Sequence, residues 1–145
     1  TDYRDREREP VTILFQEGPF FDVAPTDVTP EIARVRNQLV DRFIQIAEVS
    51  EAAYASITMR HYFRTPLELA ERPNSLSFHT FYLGQNVFGQ DRLAKIKATF
   101  AGAYIRDTAQ GVYISVYPHF NPDDKHLPNP PFELVGRLVA ETLGG

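Results

Sequence analysis

Residues 95–120, KIKATFAGAYIRDTAQGVYISVYPHF, constrain this chain more than any other stretch. β-Branched and aromatic residues fill two arms around a short polar loop, Arg106 to Gly111, with Gly where the chain must turn back. The pattern predicts a β-hairpin with Ile105 opposite Val112, Ala103 opposite Ile114 and Ala101 opposite Val116. On the other side, Tyr104 is expected to meet Tyr113, Gly102 to meet Ser115 and Phe100 to meet Tyr117. One face of the ribbon is therefore aliphatic and small. The other is aromatic around a flat Gly/Ser centre, and the rest of the chain is expected to pack on this ribbon.

The 145 residues suffice for one domain with a self-sufficient core. A formal charge of −4 speaks against a phosphate-backbone binder, which would carry a basic face. The absence of Cys excludes thiol chemistry, disulfides and Cys-ligated metal, and fits a reducing, cytoplasmic setting. No apolar run reaches the roughly 18 residues that span a bilayer, and no basic segment precedes an apolar one as in a signal peptide. Neither a membrane nor a nucleic-acid partner is expected.

In chain order, residues 1–10 alternate in charge and read as a flexible arm ahead of a single α+β domain, 11–145. Residues 11–16 alternate as a first strand. Thr29, Pro30 and Glu31 form a helix start, with Thr as cap, Pro in the first turn and an acid after it. Ile32, Val35, Leu39, Phe43, Ile46, Ala53 and Ile57 then recur at helical spacing in a region spanning 30–63. Unbroken, that helix would be roughly 50 Å long, so a break near Ser50 is expected, the alternative being a helix that overhangs the body and pairs with a second copy. Residues 76–83 alternate as a strand, with Thr80 and Tyr82 on one face and Phe81 and Leu83 on the other. Residues 93–106 read as a further strand and 111–118 as the last. Asn129-Pro130-Pro131 begins a C-terminal helix over 130–143, whose stripe of Phe132, Val135, Leu138, Val139 and Leu143 suits the Ala101/Ala103 face. The fold class is α+β: a small, mostly antiparallel sheet packed against the long helical region and the C-terminal helix.

Walker A, GxGxxG, HExxH, GxSxG and EF-hand patterns are all missing. Three softer clusters remain. His119, Asp123 and His126 combine imidazole and carboxylate on a Pro-rich loop, a donor set that suits zinc, manganese or iron, although a stiff turn explains the segment as well. Arg60, His61 and Arg64 complement a helix C-terminus, or act as an anion clamp; His61, His79 and Tyr82 are the catalytic candidates. Phe100, Tyr104, Tyr113 and Tyr117, with Arg60 and Arg64, form the candidate ligand or partner face, which a helix would otherwise simply cover. The leading functional expectation is a non-catalytic interaction module: an acidic adaptor, escort or assembly factor whose partners are other proteins, including a second copy of itself. No cofactor is expected. The alternative is a small-ligand protein or cofactor-free hydrolase, isomerase or lyase with a pocket lined by His61, His79, Tyr82, Tyr104 and Tyr117 between helix and sheet.

Overall fold

A computed structural model of the chain describes residues 25–57, 65–73, 80–116, 125 and 127–144. After a 3-10 turn, Pro25–Asp27, the elements are α1 (Pro30–Val49), β1 (Tyr54–Ile57), α2 (Pro66–Glu71), β2 (Thr80–Gly84), α3 (Gln85–Phe88), α4 (Gln90–Thr99), β3 (Tyr104–Asp107), β4 (Gly111–Ser115) and α5 (Phe132–Leu143). The four strands form one antiparallel sheet in the order β1-β2-β4-β3. The fold is α+β, as the patterning predicts. The expected arm at 1–10 and strand at 11–16 lie outside the described residues.

α1 starts where its cap chemistry predicts. Thr29 is extended, its hydroxyl accepts from the Ile32 amide at 3.2 Å, and Pro30 opens the helix. It stops at Val49: Ser50 Oγ donates to the Ile46 carbonyl at 2.6 Å and Glu51 turns to φ 52°. The expected break near Ser50 is thus present. The expectation of helix through to 63 is corrected within the described residues, because Tyr54–Ile57 is strand, paired to β2 from Tyr54↔Leu83 to Ile57↔Thr80. Ala53 and Ile57, four apart, mimic helical spacing, but the turn at Glu51 has already reversed the chain.

Residues 93–99, expected as the start of a strand spanning 93–106, belong to helix α4. Leu93, Ile96 and Phe100 are its buried residues, at spacings of three and four, whereas the alternating Ala94 and Ala98 are exposed. Only Tyr104–Asp107 of that segment is strand, because Gly102, at φ 102°, turns the chain between helix and sheet. The hairpin register moves accordingly. Ile105 pairs with Ile114 rather than Val112, and Tyr104 pairs with Ser115 rather than Tyr113. A shift of two residues preserves which side each residue faces, so the two-faced ribbon stands. Val87 and Phe88 belong to the single helical turn α3.

The aliphatic side of the sheet carries the main core. Phe81, Leu83, Val112, Ile114 and Val116 pack there with Leu93, Ile96 and Phe100 of α4 and with Val135, Val139 and Leu143 of α5. Each such side chain contributes about 1.5–3 kcal/mol by leaving water. Of the expected Ala101/Ala103 face, Ala103 is buried in this cluster with the C-terminal stripe, whereas Ala101 is exposed. α2 is held by a reciprocal cap: Thr65 Oγ1 accepts from the Glu68 amide at 3.2 Å, and Glu68 Oε2 accepts from the Thr65 amide at 2.8 Å. α5 approaches α2 closely because Gly136 leaves its surface bare beside the Pro73 backbone.

α1 covers the opposite side. Val40 and Ile44 meet Ile57 and Tyr113, with Leu39, Phe43 and Tyr104 packed around them. The helix is buried along Arg36, Val40, Ile44 and Ala47. This corrects the predicted stripe: Ile32 and Val35 are half-buried, Leu39 and Phe43 border the sheet-facing cluster, and Ile46 is exposed. The sheet side thus engages Leu39 and Phe43 as well, and the large apolar residues that α1 leaves exposed are Ile46 and Val49 at its C-terminal end.

Candidate functional site

The alternation of β2, β3 and β4 directs Thr80, Tyr82, Tyr104, Arg106, Tyr113 and Ser115 to the α1 side of the sheet. This is the predicted aromatic face, and α1 fills it. Phe43 meets Tyr113 edge-on at 6.1 Å between ring centroids, and Tyr104 meets Tyr113 edge-on at 6.0 Å. Tyr82 and Tyr113 are a cross-strand pair, both essentially without solvent contact.

Beneath the rings lies a buried hydroxyl cluster. Thr80 Oγ1 and Ser115 Oγ are 2.9 Å apart across the β2–β4 ladder. Burial pushes the Tyr113 phenol well above its ordinary range, and hydrogen bonding with Ser115 and Thr80 partly opposes the shift. Tyr82 is raised too, by burial first and then by the charge of Glu48, with the Thr108 hydroxyl acting the other way. The Tyr82 ring extends over Gly111: a Cβ there would stand 2.7 Å from both Cζ and Oη. Glu48 also accepts from the Gln110 amide at 3.2 Å, which ties the end of α1 to the hairpin turn. At the β3 edge Arg106 Nη1 donates to Asp41 Oδ1 at 2.7 Å. That pair is solvent-exposed and worth about 0–1 kcal/mol.

The raised phenols make a prediction for alkaline solution. Above about pH 10 an unfolded tyrosine loses a proton that the folded Tyr113 and Tyr82 retain, so the native state binds more protons and stability falls as pH rises. The decline is about 1.4 kcal/mol per pH unit for each such group. Tyr113→Phe is expected to raise the midpoint of alkaline unfolding followed by circular dichroism. At neutral pH the same substitution costs about 0.5–1.5 kcal/mol.

Phe100 is corrected out of this face. It caps α4 on the other side of the sheet, edge-on to Phe81 at 5.4 Å and tilted on Phe132 at 6.3 Å. Tyr82, Tyr104 and Tyr113 do share one face, under α1. Arg60, His61, Arg64, His79, Tyr117, His119, Asp123 and His126 lie outside the described residues. Among the described residues no group of three or more carboxylate or imidazole side chains is gathered to hold a metal, and no helix is long and apolar enough to cross a membrane. The reading of the sequence missed Thr80 and Ser115. Both are polar residues in phase with the aromatics of their strands, but their meeting depends on β2 pairing with β4, a long-range choice that local alternation does not encode.

The chain matches no protein-family model, no curated protein and no solved structure.

Proposed function

We propose that the chain is a non-catalytic protein-interaction module that associates with itself, in the manner of an acidic adaptor, escort or assembly factor. The observation that carries this reading is the apolar pair exposed at the C-terminal end of α1. Ile46 is 43% exposed and Val49 80% exposed, one helical turn apart, on a helix whose buried side is already engaged by the sheet. An exposed apolar pair on an otherwise amphipathic helix is the kind of surface that partner helices read.

The aromatic side chains that suggested a ligand platform favour the same reading from the opposite direction. Tyr82 and Tyr113 are occupied by internal packing, so among the described residues the exposed Ile46 and Val49 lie on the helix and not on the aromatic face of the sheet. The carboxylates near them serve structural contacts: Glu48 to the Gln110 amide and Asp41 to Arg106. Size-exclusion chromatography with light scattering tests the proposal. A mass rising above 16.5 kDa with concentration through the micromolar range is expected. A constant monomer mass over that range would contradict self-association.

A further inference from the structure

We draw no further inference here: the strongest candidate, the apolar patch of Ile46 and Val49 at the C-terminal end of α1, already carries the self-association proposed above, and nothing in the structure shows which surface covers it.

Discussion

Gly111→Ala is expected to lose about 3 kcal/mol or more of stability, a fall in melting temperature of about 6–12 °C in a chain of this size. The reason is local and steric. Gly111 sits opposite Gly84 at the end of the β2–β4 ladder, and the Tyr82 ring occupies the space where its side chain would be. A methyl group would strike Tyr82 Cζ and Oη and also the Leu83 carbonyl oxygen. The carbonyl is held in the sheet and cannot swing aside, while the ring is enclosed on the α1 side, so neither collision is relieved by a rotamer change. Denaturant or thermal unfolding followed by circular dichroism checks it. A loss below about 1 kcal/mol, the range of ordinary surface changes, would mean that Tyr82 does not lie across the strand.

Phe100→Ala should cost about 3–5 kcal/mol, the usual range for emptying a buried aromatic site. Phe100 is fully buried between Phe81 and Phe132, at the corner where α4 ends and the chain turns at Gly102 into β3. Its removal would open a cavity touching sheet, α4 and α5 together. Against the 5–15 kcal/mol stability typical of natural domains, that loss leaves little reserve. Equilibrium urea unfolding measures it directly. The same substitution also separates two assignments of this ring: a residue on an open ligand face would be removed at almost no cost to stability.

These two residues illustrate what local pattern does and does not carry. The hairpin and its sidedness were legible because alternation has a period of two, and any register error by an even number keeps the faces. The register itself was not legible. It depends on where β3 begins, and that depends on α4, whose Ala94, Ile96 and Ala98 alternate like a strand while Leu93, Ile96 and Phe100 repeat like a helix. Tertiary contact with β4 and α5 resolved the ambiguity in favour of helix. The start of α1 was legible from Thr29 and Pro30 because capping is a local interaction. Its buried side was not, since a helix whose apolar residues spread over adjacent flanks offers more than one way to face a sheet, and the flank containing Arg36 took the burial. The aromatic face was legible as a surface that a helix could cover, but the hydroxyl pair of Thr80 and Ser115 required the true β2–β4 pairing.

The central structural feature is the aromatic face of the sheet, interior and sealed by α1. Nitration with tetranitromethane at mildly alkaline pH, mapped by mass spectrometry, tests this most directly. Tyr82 and Tyr113 should stay unmodified in the native protein and react once it is unfolded. Nitration of native Tyr113 at the rate seen after unfolding would show an open platform, and would contradict the account.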